Sequence, residues 1–219
     1  SEVEELVEAY ASGAARAKAA GADAVEIHGA HGYLILNFLS PLYNKRTDKY
    51  GGGVEGRARF AQEIVQLIKQ KVGQDFPVIF RISAEESVEG GLVLEEAKVI
   101  CSILEKAGVD AFDVVSGSHD RYQEVVPPAD FAPGWRVYMA EGIKQAVGVP
   151  VMAVGRIQSP ELAEDILKEG KADLIGLGRA LICDPEFPSK LAQGKVDEIR
   201  RCIACNQGCI DRLRTFDLE

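Results

Sequence analysis

Short, continuous runs of apolar residues alternate with amphipathic segments along most of the chain. Three of these runs follow a similar phrase, in which a glycine stands two or three residues before an aspartate; they lie at residues 20–27, 107–114 and 170–176. A glycine after an amphipathic segment is typical of a helix end, and the apolar run after it is typical of a buried strand. Two further runs, at 76–82 and 149–154, carry a proline near their start, where a strand tolerates it.

This pattern predicts strict alternation of strands and helices. The strands begin near residues 23, 77, 110, 150 and 172, and the helices lie near 2–20, 57–72, 94–107, 136–147, 160–169 and 186–193. Such alternation is typical of parallel βα units, whose strands are apolar throughout because both faces of the sheet are covered. A doubly wound sheet and a TIM barrel both fit. Because a complete barrel has eight strands in about 250 residues, we expect these strands to be strands 4–8 of a partial (β/α)8 barrel.

The longest loops all follow strands. They lie at residues 28–56, 83–92 and 116–135, whereas the segments that lead from a helix back to a strand are short. In a TIM barrel the loops after the strands form the face that carries the active site. The asymmetry therefore favours an enzyme-type barrel.

Composition and charge disfavour several classes of function. The formal net charge of the 219 residues is −9, which disfavours binding to nucleic-acid phosphates. No apolar run approaches the roughly 20 residues that cross a bilayer, and the first residues lack the basic and then apolar pattern of a signal peptide. We therefore expect a cytoplasmic protein with no membrane or nucleic-acid partner. The chain does not begin with methionine, so we expect its natural start to lie elsewhere.

The five cysteines fall into two groups. Cys101 and Cys183 stand in apolar surroundings, where we expect ordinary buried thiols, whereas Cys202, Cys205 and Cys209 lie within eight residues. An odd number of cysteines in a reducing compartment disfavours a disulfide framework. Three thiols at this spacing can face one soft metal centre, and zinc and an iron–sulfur cluster are both open. A cluster usually takes four cysteines, and no fourth follows before the chain ends.

Two histidines and a tyrosine follow the first predicted strand closely. An imidazole, as in His28 and His31, can donate a hydrogen bond to a developing anion, and a phenol, as in Tyr33, can deliver a proton. This motif alone is equally consistent with catalysis and with a structural or metal-binding pair of histidines.

Three arginines end strands on the same expected face. Arg81 closes the second strand, where it needs an anionic partner, and Glu85 and Glu86 are its acidic neighbours in sequence. The pairs Gly155–Arg156 and Gly178–Arg179 end the last two strands, where glycine lets backbone amides approach a phosphate. Barrels commonly bind phosphate after strands 7 and 8.

The run from His28 through Arg59 closely resembles the fourth βα unit of the old-yellow-enzyme family of flavoproteins. It contains His-Gly-Ala-His-Gly-Tyr-Leu, then Phe-Leu-Ser-Pro, Asn-Lys-Arg-Thr-Asp and Tyr-Gly-Gly. Gly53 and Gly56 depart from the serine and asparagine that are usual in the family, and both lower the helix propensity of the segment that follows. The resemblance covers essentially the whole chain.

This resemblance implies an FMN-binding TIM barrel that reduces an activated C=C bond. His28 and His31 match the pair that binds the substrate's carbonyl oxygen, on which negative charge develops when hydride leaves the flavin. Tyr33 matches a proton donor, and His119 falls near a histidine that assists it. Arg81 matches a contact to the flavin ring, and the two Gly–Arg pairs match the FMN phosphate site.

The cysteine motif resembles the 4Fe–4S ligands of 2-enoate reductase, dienoyl-CoA reductase and trimethylamine dehydrogenase relatives, whose fourth cysteine would fall beyond the end of this chain. The resemblance divides the chain into residues 1–199, the later part of the barrel, and residues 200–219, an incomplete ligand segment. It implies that the full-length protein passes electrons from NAD(P)H through FAD and the 4Fe–4S cluster to FMN. The implied substrate is a small unsaturated molecule, such as an enone, an enoate or an enoyl thioester.

Two other interpretations stay open. A zinc-containing, non-redox barrel that binds a phosphorylated substrate predicts zinc and no flavin, whereas an inactive fragment predicts no cofactor. We also expect the 219 residues alone to bind FMN weakly. Exposed strand edges would favour pairing with another chain, as in a homo-oligomer.

Overall fold

A computed structural model describes residues 1–212. It contains a parallel β-sheet whose strands lie in chain order: β1 (Val25–Gly29), β2 (Val78–Ser83), β3 (Ala111–Val115), β4 (Val151–Val154) and β5 (Leu174–Gly176). Each neighbouring pair is parallel, and β1 and β5 are the two edges of this sheet. The five strands predicted from the apolar runs are confirmed, and each begins one or two residues later than predicted.

Helices connect the strands in sequence. In the described part of the chain they are α1 (Glu2–Ala19), α2 (Leu34–Leu39), α3 (Val54–Val72), α4 (Leu94–Ala107), α5 (Tyr122–Val125), α6 (Val137–Lys144), α7 (Pro160–Lys168), α8 (Arg179–Cys183) and α9 (Phe187–Ala192). The short helices α2, α5 and α8 were not predicted, because each is too brief to show a helical period. Within residues 1–212, no helix combines the length and the apolar character needed to span a bilayer.

The helices bury one apolar face against the sheet. In α3, Phe60, Ile64 and Ile68 recur at a spacing of four residues and are fully or almost fully buried. Phe60 stacks on Phe38 of α2, with ring centroids 4.2 Å apart. Burial of one such side chain contributes about 1.5–3 kcal/mol to folding, so this face holds α2 and α3 together and fixes the long loop after β1.

The glycines of the repeated phrase end helices, as predicted. Gly21, Gly108 and Gly170 have φ angles of 92°, 117° and 71°, which belong to the left-handed region that favours glycine. Gly108 directly caps α4, and its amide hydrogen-bonds to carbonyl oxygens of the last turn. The phrase therefore marks each point at which the chain leaves a helix and enters the next strand.

Two of the three aspartates of the same phrase join neighbouring strands. Asp110 accepts hydrogen bonds from the amide of Val78 (2.7 Å) and from the ammonium of Lys69 (2.6 Å). Asp173 receives equivalent bonds from the first amide of β4 and from Lys144. Lys69 is only 3% exposed and also donates to two backbone oxygens of the loop before β2. These contacts hold the amino ends of the strands together, away from the predicted active face.

The two isolated cysteines differ in their surroundings. Cys101 is fully buried in α4, as predicted, and burial raises the pKa of its thiol. Cys183 lies at the end of α8 and is only partly buried. The prediction of a buried thiol is therefore wrong at Cys183, because α8 lies at the margin of the core and not inside it.

Candidate active site

The four residues predicted to be catalytic lie together at the carboxyl end of β1. The ring centroids of His28 and His31 are 5.1 Å apart, those of His28 and Tyr33 are 5.3 Å apart, and those of Tyr33 and His119 are also 5.3 Å apart. His119 reaches this cluster from the loop after β3. Tyr33 is 54% exposed, so a ligand that enters from solvent meets its ring first.

The turn that carries His31 has a left-handed backbone conformation, which few residue types other than glycine adopt. His31 has a φ of 61° and Gly32 a φ of 81°, and the His31 amide donates a hydrogen bond to Ser83 Oγ at 3.1 Å. A Cβ atom at Gly32 would lie 2.5 Å from the His119 ring. Glycine therefore allows the loops after β1 and β3 to meet.

Burial keeps both histidines uncharged near neutral pH. Burial lowers the pKa of His28, and it lowers the pKa of His31 to about 3; the charge of Arg81 contributes to both shifts. The Nε2 atom of His31 is buried and has no hydrogen-bond partner among the described residues. Buried polar atoms are normally paired, so this nitrogen is available to a bound ligand.

Arg81 is paired with carboxylates from the neighbouring strands. Its Nη1 lies 3.4 Å from Asp113 Oδ2 on β3 and 3.9 Å from Glu26 Oε1 on β1. The alternative partners named from the sequence, Glu85 and Glu86, hydrogen-bond to other groups in their own loop and beyond. The Nε atom of Arg81 is buried and has no partner in the described structure.

A cleft of about 250 Å³ opens at the carboxyl ends of β4 and β5. Its lining includes all of the residues predicted to bind a cofactor, which are Arg81, Gly155, Arg156, Gly178 and Arg179. Arg136 also lines it, and we call the site the arginine cleft after Arg81, Arg136, Arg156 and Arg179. In the part of the chain that is described, no carboxylate lines this cleft. Clustered cations in a partly enclosed site attract an anion.

Arg136 is a candidate binding residue that the sequence analysis missed. It is 4% exposed, and its guanidinium donates to the backbone oxygens of Val154 (2.8 Å) and Glu124 (2.9 Å) and to Ser116 Oγ (3.2 Å). Burial lowers the pKa of Arg136 to about 10, so the group is still protonated at neutral pH. No local signal could have found it, because an arginine just before a helix usually lies at the surface.

Two glycines bring the backbone of the cleft close to its centre. Gly155 has a φ of 133°, and a Cβ atom there would lie 2.6 Å from Arg136 Nε. At Gly178 no atom lies within 4 Å of the Cβ position, so its backbone borders open space. Arg156 also has a buried Nε without a partner in the described structure. These unpaired donors, together with the glycine backbone, fit the phosphate of FMN and the negative charge that its ring carries when it is reduced.

The three clustered cysteines are not gathered into a metal site. Cys202 and Cys209 are partly exposed, and Cys205 is exposed. Among residues 1–212, no group of three or more His, Cys, Asp or Glu side chains is arranged to hold a metal ion. The predicted ligand segment continues through residues 213–219, which lie outside the described residues.

Comparison with known proteins identifies relatives along nearly the whole chain. A family model described as NADH:flavin oxidoreductase / NADH oxidase matches residues 1–198. The chain is 51% identical over 209 residues to an NADH oxidase of Thermoanaerobacter brockii, which covers 95% of this chain and 32% of that protein. It is 41% identical over 230 residues to a cinnamate reductase of Clostridium sporogenes, which covers 98% of this chain and 35% of that protein.

A solved structure shares the same architecture. A 2-naphthoyl-CoA reductase in complex with 2-naphthoyl-CoA matches with a TM-score of 0.92 at 37% identity, over 96% of this chain and 32% of that one. The five parallel strands correspond to part of a TIM barrel, as predicted. The chain spans about a third of the length of these relatives.

Proposed function

The chain belongs to the NADH:flavin oxidoreductase / NADH oxidase family, as its resemblance to the old yellow enzymes predicted, and we propose that it forms the catalytic part of an FMN-dependent ene-reductase. The natural polypeptide that contains it would reduce the C=C bond of an enone, enoate or enoyl thioester with electrons from NAD(P)H. One observation carries the proposal: the arginine cleft adjoins the histidine pair, because Arg81 lines the cleft and lies opposite His28 in the sheet.

The arginine cleft would hold the anionic parts of FMN. Arg156 and Arg179, together with the backbone at Gly155 and Gly178, would bind the phosphate, because guanidinium and backbone N–H groups are strong donors to phosphate oxygens. Arg81 would contact the flavin ring, with its unpaired Nε as the donor. When bound, FMN supplies the hydride that the reduction requires.

His28 and His31 would bind the carbonyl oxygen of the substrate. Both rings are neutral near pH 7, so each can donate one hydrogen bond. A hydrogen bond to a charged group is worth about 1.5–3 kcal/mol, so the pair stabilises the oxygen as it gains negative charge. Tyr33, with His119 beside it, would deliver a proton to the carbon that does not receive the hydride.

We further propose that Cys202, Cys205 and Cys209 supply three ligands of a 4Fe–4S cluster. The support is their spacing and the preference of such clusters for thiolates; the described side chains are not gathered around one point, so their geometry gives no electron path. In this proposal residues 1–199 belong to the barrel, residues 200–219 begin the cluster segment, and FAD and NAD(P)H bind elsewhere in a cytoplasmic polypeptide.

Cofactor analysis of the natural polypeptide, purified without oxygen, tests the proposal. We expect FMN together with about four irons and matching sulfide per chain, and NAD(P)H-dependent reduction of a cinnamate-type enoate. Zinc without flavin would contradict the proposal and support the phosphate-binding, non-redox barrel. If the polypeptide contains FMN but acts on amines and not on enoates, the cofactor assignment is supported and the proposed substrate class is wrong.

A further inference from the structure

The side chain of Asn206 attaches the cysteine segment, residues 202–211, to the arginine cleft. The Oδ1 atom of Asn206 accepts a hydrogen bond from Arg179 Nη1 at 2.6 Å, and its Nδ2 donates to the backbone oxygen of Val126 at 3.1 Å. Arg179 and Val126 both line the cleft, as does Ile210 of the segment itself. Asn206 therefore connects the segment to two separate walls of the cleft.

The backbone at Asn206 also sets the position of the cysteines. Its φ is 61°, in the left-handed region where asparagine is enriched among non-glycine residues. Its carbonyl oxygen accepts from the amides of Ile210 and Asp211, both at 3.0 Å, and so begins the turn Gln207–Asp211. Cys205 directly precedes Asn206, and Cys209 lies inside that turn. A movement of Asn206 therefore displaces both thiols.

From these contacts we propose that Asn206 is a positioning residue that couples the occupancy of the arginine cleft to the conformation of the cysteine segment. An arginine has five N–H donors, so Arg179 can hold Asn206 with Nη1 and bind a phosphate with the others. A bound phosphate would fix the guanidinium, the guanidinium would fix Asn206, and Asn206 would fix the turn that bears Cys209. The inference rests on the proposed function only in naming FMN as the source of the phosphate.

Hydrogen–deuterium exchange of peptides that cover residues 202–211, measured in the natural polypeptide, tests the coupling. Saturating FMN, or inorganic phosphate as a probe of the anion site alone, should slow amide exchange in this segment by about tenfold, because coupled sites typically change one another's equilibria by roughly 5- to 150-fold. Coupling is reciprocal, so loss of the link should weaken FMN binding by a similar factor.

Two glycine substitutions separate the side chain from the backbone. Asn206→Gly removes both side-chain hydrogen bonds but keeps a residue that tolerates positive φ; its segment should no longer respond to either ligand. Ala204→Gly is the matched control, because Ala204 also has a positive φ (55°) and has no polar side chain. It should keep the full response. Asn206→Ala removes the same two hydrogen bonds and introduces a residue type that already adopts positive φ at position 204; it should also lose the response, and it serves if the glycine variant does not fold.

The possible outcomes separate this inference from the proposed function. Equal protection of the segment in Asn206→Gly and in the unsubstituted protein overturns the coupling and leaves FMN binding intact. Protection by phosphate that depends on Asn206, without any binding of FMN, supports the coupling and overturns the FMN assignment. If neither ligand alters exchange in the segment, the coupling is wrong.

Discussion

His31 brings a left-handed backbone, a mostly buried ring and a lowered pKa to one position. Its folded-state pKa is about 3, against an ordinary value of 6.5. Between these two values the unfolded chain binds a proton that the folded chain does not bind. The free energy of unfolding therefore falls as the pH drops through this window, by about 1.4 kcal/mol per pH unit for one whole proton.

Replacement of His31 by asparagine removes this titration. We expect His31→Asn to lose less stability between about pH 6.5 and about pH 4 than the unsubstituted protein does, as measured by urea unfolding at several pH values. Ser83→Ala, which removes the hydrogen-bond partner of the His31 amide but leaves the ring in place, is the control and should keep the pH dependence of the unsubstituted protein. Parallel pH profiles for all three proteins would show that the His31 ring is solvated.

The proposed role of Tyr33 predicts a loss that is confined to the chemical step. Tyr33→Phe should lower kcat about 10²- to 10⁴-fold, the usual contribution of a general acid, and should change KM little, because the ring is kept. Tyr138→Phe is the control: it also removes a hydroxyl that forms a hydrogen bond, to Glu85, but lies on α6 away from the histidine cluster. Steady-state rates with an enoate measure both variants, and equal losses in the two would remove Tyr33 from the proton-transfer step.

The residues of the candidate site were easier to predict from the sequence than the groups with which they form ion pairs and hydrogen bonds. The histidines, the tyrosine and the arginines stand at strand ends in the sequence and were found there. The partners of Arg81 were not found, because Glu26 and Asp113 reach it through the register of three parallel strands, whereas sequence proximity points to Glu85 and Glu86. Arg136 was missed for the same reason, since its hydrogen-bond partners come from segments that are distant in the sequence.

At the level of elements, the first turn of α3 shows how close packing can reverse a helix propensity. A Cβ atom at Gly56 would lie 2.0 Å from the backbone oxygen of Gly51, whereas at Gly13 in α1 the nearest atom is 3.8 Å away, at the end of the Arg16 side chain. Propensity alone favours alanine at both positions, by about 0.5–1 kcal/mol. The surroundings favour it only at Gly13.

These two positions predict changes of opposite sign. Gly13→Ala should raise the free energy of unfolding by up to about 1 kcal/mol, and Gly56→Ala should lower it by about 1–3 kcal/mol, because the loop must move to admit the methyl group. Thermal or urea unfolding of the two variants measures the difference. A stabilising Gly56→Ala would mean that the loop of residues 46–53 does not pack against α3 in solution.

The strands and the long helices were predicted well, whereas the short helices α2, α5 and α8 were not. Apolar runs and glycine stops predicted every strand because they report burial on both faces of a parallel sheet. The helix Leu34–Leu39 lies inside residues 28–56, which were predicted to be a loop, and it folds because Ile35, Leu36 and Leu39 are buried against neighbouring elements. Tertiary packing of this kind leaves no period in so short a stretch.

For the whole molecule, the overall charge and the local charge have opposite signs. The formal net charge is −9, yet four arginines line one cleft without a carboxylate in its described lining. Salt screens charges over a length of about 10 Å at 0.1 M and about 3 Å at 1 M. If the arginine cleft binds the phosphate, added salt should weaken the binding of FMN severalfold and leave that of riboflavin, which lacks the phosphate, almost unchanged.

Titration of both flavins against the natural polypeptide, at low and high NaCl, measures this effect. If the negative net charge of the protein governed FMN binding instead, added salt would have the opposite effect on affinity. It would screen the repulsion between the protein and the phosphate, and FMN would bind more tightly. Salt-insensitive binding of both flavins would place the phosphate outside the arginine cleft. The cleft as a whole could be predicted from two Gly–Arg pairs, but its fourth arginine and its contact with the cysteine segment required the tertiary structure.

The order of the strands has a consequence for how the chain folds during its synthesis. Because the sheet runs β1 to β5 in the direction of the chain, each βα unit can pack on the unit that left the ribosome just before it. The functional groups cannot assemble in this stepwise way, because they are spread along the chain from His28 to Asn206. The hydrophobic layer can form while translation is in progress, but the ligand-binding face is complete only after its last contributor has emerged.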